Sequence, residues 1–234
     1  ETCTYDACQW STLLLDDGVL WVGGYDELVA IDVETLQPVM QFLFSEQAHT
    51  FNPNVVKDID VTGDGQLWTL FCWDTCYVVT LDRQKLLDGV DQEPGMIAFE
   101  TSWLEFVANV GGSMWAGESR SGNVDERPAT FYPLEIGASL GPDDGIALPD
   151  DLEFFILGGM NLTTDGSRLW LLHENGRRLY WFDPETRAVG KFQVYPGDEQ
   201  TDEDPNMLMW LSFDGQHLWA SGSETLRIAL PWVQ

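Results

Sequence analysis

The stretch DGVLWVGGYDELVAIDVETL, residues 17–36, alternates turn residues with short apolar runs. Asp17 and Gly18 are residue types that tolerate the positive φ angles of a tight hairpin, and Leu20 and Trp21 begin the apolar run that follows. A second run ends in AID, residues 30–32, before a further turn. One copy of this pattern predicts a hairpin only, so the fold depends on whether the pattern returns at a fixed interval.

The pattern returns four times, as GDGQLWTLF, VGGSMWAGE, TDGSRLWLLHE and FDGQHLWASG. The Leu-Trp or Met-Trp pairs place the repeated tryptophans at Trp21, Trp68, Trp115, Trp170 and Trp219. These tryptophans recur after 47, 47, 55 and 49 residues. A second signature follows most pairs, as LVAIDVETL, YVVTLDRQKL, LYWFDPETRAV and the weaker LRIAL. The chain therefore consists of five related units.

Each unit predicts four antiparallel strands. A first apolar strand leads through an Asp-Gly or Gly-Gly turn to the Leu-Trp strand, then to the AID strand, and through a turn such as VET or PET to a last strand. Four strands repeated every ~40–50 residues are typical of a β-propeller blade. We predict an all-β, five-bladed β-propeller that forms a single domain over residues 1–234. The Leu-Trp pairs are predicted to fill the wedges between neighbouring blades.

Two stretches, DGVLWVGGYDELVAIDVET and DGSRLWLLHENGRRLYWFDPET, resemble the blades of a broad propeller group. That group includes quinoprotein-like, NHL-type, gluconolactonase-like and sensor-propeller repeats, and the resemblance covers essentially the whole chain. It implies the fold but no particular function, because such repeats occur in enzymes, receptors and scaffolds alike.

Two irregularities interrupt the repeat. Residues 118–151, rich in Gly, Pro and Asp, lengthen the third unit, and they predict an elaborated loop, with a sixth blade of weak strands as the alternative. The fifth unit ends before its outer strand. We therefore predict that residues near Thr2 to Tyr5 pair with the C-terminal strand and close the ring, which removes an exposed sheet edge.

The charge balance excludes two classes of partner. The chain has 39 acidic residues against 11 basic ones, a net charge of −28. Nucleic acids and anionic lipid headgroups need cations on the protein, so binding to either is excluded. No apolar run is long enough to span a membrane. Solvation in a salty or harsh external medium, binding of divalent cations and docking to a basic partner remain as explanations of the acidity.

The cysteines and the first residue favour an exported protein. The four cysteines form two close pairs, Cys3 with Cys8 and Cys72 with Cys76, and neither pair has the C-x-x-C spacing of a zinc or redox site. The chain starts at Glu1, which we interpret as the result of leader removal. We predict a secreted, periplasmic or cell-surface protein with two local disulfides. Four free thiols in a cytosolic protein are the alternative.

Motifs for chemistry are weak in this sequence. It contains no G-x-S-x-G elbow and no H-x-x-H pair. Side chains at the ends of the Leu-Trp strands are predicted to line a binding surface at the ring centre: Tyr25, Trp73, Asp74, Glu118, His173 and Glu174. Asn52 and Asn54, before an inner strand, add to this set. A carboxylate cluster, Asp150, Asp151 and Glu153, offers the oxygen ligands that Ca²⁺ prefers.

These observations favour an exported, non-enzymatic binding module. We expect an accessory subunit that docks to another protein or to a surface assembly, with no nucleic-acid partner and no membrane insertion. One alternative is a propeller hydrolase or lyase with a site in the central funnel and Ca²⁺ as its cofactor. A second alternative is a lectin-like sugar binder.

Overall fold

The computed structural model describes residues 12–44, 55–72, 76–99, 104–118, 130–148, 162–172, 178–194, 208–222 and 225–230. Within these ranges, twenty strands form five sheets in chain order. The first strand of each sheet contacts the first strand of the next sheet, so the sheets are arranged as blades around a common centre. The predicted fold class, an all-β propeller of five blades, is confirmed.

The strands of the first three blades are as follows. Blade 1 contains β1 (Thr12–Asp16), β2 (Val19–Gly23), β3 (Glu27–Asp32) and β4 (Gln37–Leu43). Blade 2 contains β5 (Val55–Val61), β6 (Gln66–Cys72), β7 (Cys76–Asp82) and β8 (Gly95–Phe99), with a short helix α1 (Arg83–Leu87) before β8. Blade 3 contains β9 (Leu104–Val110), β10 (Ser113–Glu118), β11 (Thr130–Pro133) and β13 (Ile146–Ala147), and β12 (Ser139–Leu140) lies between the last two in the chain.

The last two blades complete the described structure. Blade 4 contains β14 (Leu162–Thr164), β15 (Leu169–Leu172), β16 (Arg178–Asp183) and β17 (Ala188–Gln193). Blade 5 contains β18 (Leu208–Phe213), β19 (His217–Gly222) and β20 (Thr225–Ala229). The ring-closing strand predicted near Thr2 to Tyr5 lies outside the described residues and stays a prediction.

The Leu-Trp pairs lie on the second strand of every blade, as predicted. Four apolar cores fill the wedges between consecutive blades, from blades 1 and 2 to blades 4 and 5. Trp21, Trp68, Trp115 and Trp170 are buried in these cores, whereas Trp219 is half-buried. Burial of such large apolar surfaces is the main favourable contribution to folding here.

In blades 4 and 5, the aspartate of the Asp-Gly turn also accepts a hydrogen bond from the tryptophan that follows it. The indole N–H of Trp170 donates to Asp165 Oδ2 at 2.8 Å, and that of Trp219 donates to Asp214 Oδ2 at 2.6 Å. The indole of Trp219 and nearby backbone N–H groups lower the pKa of Asp214 to about 2, because these hydrogen bonds favour the ionised carboxylate. In these two blades, the turn aspartate therefore orients the following tryptophan as well as reversing the chain.

The lengthened third unit adds no sixth blade, but it contains more regular structure than the predicted elaborated loop. Its residues 130–148 supply β11 and β13, the outer strands of blade 3. Between them, β12 crosses to blade 2 and pairs in parallel with β8, where Ser139 faces Ala98 and Leu140 faces Phe99. A strand of two residues has no periodicity to detect, so the sequence could not show this cross-blade pairing.

The blade order gives the ring two different faces. On one face, here called the turn face, each first strand joins the Leu-Trp strand through two to four residues, at 17–18, 62–65, 111–112, 165–168 and 214–216. The turns of blades 3 and 4 touch there, because the Gly111 N–H donates to the Gly166 carbonyl at 2.7 Å. On the opposite face, here called the loop face, the Leu-Trp strands end and the first strands begin. Tyr25 and Glu118, at the ends of the second strands of blades 1 and 3, therefore belong to the loop face.

Candidate binding face and channel wall

Two of the predicted binding residues are described by the structure. Tyr25 follows β2 on the loop face, is 46% exposed, and forms an isolated antiparallel bridge with Val55 at the start of β5. Glu118 ends β10, and its Oε2 accepts a hydrogen bond from the buried Tyr132 hydroxyl at 2.9 Å. Tyr25 thus presents an aromatic ring to solvent, whereas Glu118 is turned toward the third strand of its own blade.

The remaining predicted binding residues lie outside the described residues and stay predictions: Trp73, Asp74, His173 and Glu174, with Asn52 and Asn54. The same holds for the calcium cluster of Asp150, Asp151 and Glu153. Over the ranges that the structure describes, no group of three or more His, Cys, Asp or Glu side chains is arranged to hold a metal ion.

The second cysteine pair lies at a hairpin tip on the loop face. Cys72 ends β6 and is the direct ladder partner of Cys76, which begins β7. The Cys76 side chain is fully buried, and its Sγ accepts a hydrogen bond from the Leu104 N–H of blade 3 at 3.3 Å. The predicted opposition of the two cysteines is confirmed, and the disulfide between them stays a prediction. Cys3 and Cys8 lie outside the described residues.

The inner strands of blades 2 and 3 are joined by two carboxylates that the sequence analysis did not single out. The N–H of Val107 donates to Asp58 Oδ2 at 2.9 Å, and the N–H of Asn109 donates to Asp60 Oδ2 at 2.6 Å. Val107 and Asn109 lie two residues apart on β9, as Asp58 and Asp60 do on β5. The carboxylates therefore bind alternate amides along the inner edge of β9, which pairs with none of the other described strands.

Asp58 also connects to blade 1. The Thr12 hydroxyl donates to Asp58 Oδ1 at 3.4 Å, and Asn109 extends the contact to blade 2 through its side-chain amide, which donates to the Val61 carbonyl at 3.0 Å. Burial raises the pKa of Asp58 to about 7, against the lowering effect of the two backbone N–H donors. Burial likewise raises the pKa of Asp60. Burial therefore disfavours the charged form of both carboxyls, whereas the hydrogen bonds from the backbone amides favour it.

Ion pairs flank this carboxylate pair at both faces. Toward the loop face, Lys57 Nζ lies 3.4 Å from Glu105 Oε2 and donates to the Leu104 carbonyl at 3.2 Å. Toward the turn face, the Arg83 guanidinium contacts the carboxylate of Asp16 and lies 3.8 Å from that of Asp17. Polar contacts therefore continue from this carboxylate pair toward both faces.

The sequence contains a signal for these polar contacts of β5, but the signal is ambiguous. Three charged residues, Lys57, Asp58 and Asp60, interrupt the apolar pattern of VVKDIDV in a first strand that was predicted to be apolar. Such a pattern indicates buried polar partners. The partners are backbone amides of blade 3, about fifty residues along the chain, which no local pattern could identify.

Comparisons with known proteins extend the description of the fold. No protein-family model matches the chain, and no curated protein matches it. Among solved structures, the Cps50 (Swd1) β-propeller domain of Myceliophteria thermophila superposes with a TM-score of 0.56 at 13% identity, over 91% of this chain and 62% of that one.

Two bacterial structures give similar superpositions. The extracellular domain of a protein described as a one-component system of B. thetaiotaomicron matches with a TM-score of 0.55 at 15% identity, over 97% of this chain and 32% of that one. A Bacteroides caccae protein of unknown function matches with a TM-score of 0.54 at 8% identity, over 91% of this chain and 70% of that one. The chain thus spans less than two thirds of the first two, and likeness at these identities shows the β-propeller fold alone.

Proposed function

We propose that this protein is an exported binding module that docks to another protein through its loop face. The exposed aromatic ring of Tyr25, at the loop-face end of blade 1, carries the proposal. The turn face joins every first strand to its Leu-Trp strand through two to four residues, although it also carries the longer connections 83–94 and 134–145. Binding residues are commonly placed on loops that a rigid scaffold positions, and tyrosine contributes a large contact area at low entropic cost.

The charge of the chain supports a protein partner with a basic surface. At a net charge of −28, electrostatic complementarity would accelerate encounter with such a partner and disfavour acidic ones. Export agrees with the extracellular origin of one structural neighbour. Within the described residues, no helix is long and apolar enough to cross a membrane.

Photo-crosslinking from single positions tests the docking face. A photoreactive phenylalanine analogue at Tyr25 on the loop face is expected to capture a discrete protein adduct in the cells that produce the protein. The same group at Leu36, which is 74% exposed and lies at the turn-face end of blade 1, serves as the matched control. Competition with unlabelled protein should abolish the Tyr25 adduct. Equal capture from both positions, or none from Tyr25, would contradict the proposal.

The state of the cysteines tests export. We expect Cys72 and Cys76 to be joined by a disulfide, since they are direct ladder partners and no free cysteine occurs among the described residues. Protein isolated from its native source should therefore resist thiol alkylation until it is reduced, and peptide mapping without reduction should recover the two residues linked. Complete alkylation of the unreduced, denatured protein would argue for a reducing compartment instead.

A further inference from the structure

A small groove opens on the outer rim between blades 1 and 2. It lies between β4 and helix α1, which pack against each other, and it has a volume of about 190 Å³. Sites for drug-sized ligands occupy roughly 300–1,000 Å³, so this groove fits a single long side chain. Residues of β4, of α1 and of the loop after α1 line it: Met40, Gln41, Phe42, Leu86, Gly89, Val90, Asp91 and Gln92.

The floor of the groove is apolar. Phe42 and Leu86 are 8% and 5% exposed and belong to the core between blades 1 and 2, and Met40 packs against that core. Val90, on the opposite side of the groove from β4, is 51% exposed. An alkyl chain that enters the groove would cover Val90 and extend the apolar core outward.

Hydrogen bonds hold the loop that forms the second wall of the groove. The Val90 N–H donates to the Lys85 carbonyl at 2.9 Å. The Gln92 side chain accepts a hydrogen bond from the Asp82 N–H at 2.8 Å and donates to the Asp82 carbonyl at 3.0 Å. The groove is therefore preformed, and ordering it costs a ligand little free energy.

The loop side of the groove is acidic. Asp91 lines the groove, and Asp88 and Glu93 in the same loop are also exposed. Lys85 Nζ on α1 lies 3.8 Å from a carboxylate oxygen of Asp82, and none of the ion pairs among the described residues includes Asp91. The groove therefore combines an apolar floor with a negative charge that the surrounding chain does not neutralise.

We propose that this groove binds an arginine side chain of a partner protein. The alkyl stem lies against Phe42, Leu86 and Val90, and the guanidinium pairs with the Asp91 carboxylate. Arginine joins a long apolar stem to a planar cation that bonds a carboxylate through two N–H groups, so it matches both parts of the groove. This assignment rests on the proposed binding role and adds a second contact surface to the loop face.

The charge of the whole chain favours a partner protein as the source of that arginine. A second copy of this chain would bring its own net charge of −28, so like-charge repulsion disfavours self-association. A partner with a basic surface is attracted instead, and its arginines are the side chains that reach the groove.

Short peptides with one central arginine between glycines provide the probe. A citrulline peptide keeps the stem and loses the charge, whereas a peptide with its guanidinium on a single methylene keeps the charge and loses most of the stem. NMR titration of the unaltered protein with the arginine peptide should give shift changes concentrated at residues 40–42 and 86–92. Both other peptides should bind at least about threefold more weakly.

Two pairs of variants separate the groove from general attraction to an acidic protein. Asp91→Asn should weaken binding of the arginine peptide at least about threefold, whereas Glu185→Gln, which removes an exposed charge on blade 4, should leave it nearly unchanged. Val90→Ser should weaken binding about twofold or more. Val39→Ser should leave binding unchanged, because Val39 is equally exposed (51%) but does not line the groove.

Three results would overturn the assignment: equal binding of the three peptides, shift changes spread outside the groove, or equal effects within either pair of variants. The substituted side chains are exposed, so the apolar core of each variant stays intact. The peptide series uses the unaltered protein and decides the question even where a variant fails to fold.

Further outcomes separate this assignment from the proposed function. A partner captured at Tyr25 that binds the unaltered protein and Asp91→Asn with the same affinity would refute the groove and leave the binding role in place. Groove-specific binding of the arginine peptide, with no capture from Tyr25, would support the groove and refute docking through the loop face. A dimer in sedimentation that dissociates in Asp91→Asn would show that a second copy supplies the arginine, which overturns the assignment to a partner protein.

Discussion

The free energy of unfolding of this protein is expected to fall as the pH rises from about 4 to about 7, and Asp58→Asn is expected to remove most of that fall. The pKa of Asp58 is about 7 in the folded protein against 3.8 for the unperturbed group, because the carboxyl is buried. The folded state therefore holds a proton that the unfolded state has released throughout this range, so stability is highest below it. The stability difference between variant and unaltered protein should change in favour of the variant by about 4 kcal/mol between pH 4 and pH 8.

Chemical denaturation at several pH values measures this change. Asp214→Asn is the control with the opposite sign: the pKa of Asp214 is lowered to about 2, so its contribution is present above pH 4 and disappears as the pH falls toward 2. Asp60 also has a raised pKa, so Asp58→Asn should retain some pH dependence. Parallel curves for Asp58→Asn and the unaltered protein would show that Asp58 titrates normally and that its inter-blade hydrogen bonds carry no cost.

Trp170→Ala is expected to lower the free energy of unfolding by about 3–5 kcal/mol, the usual cost of removing a large aromatic side chain from a core. Trp170 is 1% exposed in the core between blades 4 and 5, and its indole N–H is hydrogen-bonded to Asp165. Truncation would leave a cavity and remove the donor that the Asp165 carboxylate binds. The repeated tryptophans therefore act in packing, as the sequence pattern predicts.

Trp210→Ala is the matched control, because Trp210 is 46% exposed on the first strand of blade 5. It should cost less than about 1 kcal/mol. Denaturant midpoints, compared at equal slopes, measure both changes. Similar losses for the two variants would mean that burial does not distinguish them, and the wedge role of the repeated tryptophans would have to be abandoned.

The fold could be predicted because its determinants are local and recur. Each Asp-Gly or Gly-Gly turn and each following Trp lie within a few residues of each other, and five copies at nearly constant spacing leave few alternatives to a propeller. The sequence pattern does not predict helix α1, although the sequence contains its N-cap residue. The Asp82 carboxylate accepts a hydrogen bond from the Lys85 N–H at 3.0 Å. The segment DRQKLL is too short for a helical period to stand out.

The candidate site was less accessible to the same reasoning. The ends of the Leu-Trp strands could be assigned to one face from topology, which places Tyr25 there correctly. The contacts between the inner strands could not be assigned, because Asp58 binds the Val107 amide on a neighbouring blade. Such contacts depend on how the blades pack, and a single sequence carries no periodic signal for them.

Blades 2 and 3 are connected at both their inner and their outer edges. Asp58 and Asp60 of β5 bind backbone amides of β9 at the inner edge, and β12 pairs with β8 at the outer edge. Separating the two blades therefore requires breaking hydrogen bonds at two distant points. The pair should therefore behave as one cooperative unit in native-state hydrogen exchange and open later than blade 4, whose outer strand β17 pairs on its outer side with none of the described strands. A ring that opens in this order contains a rigid sector, formed by blades 2 and 3, beside more easily opened blades.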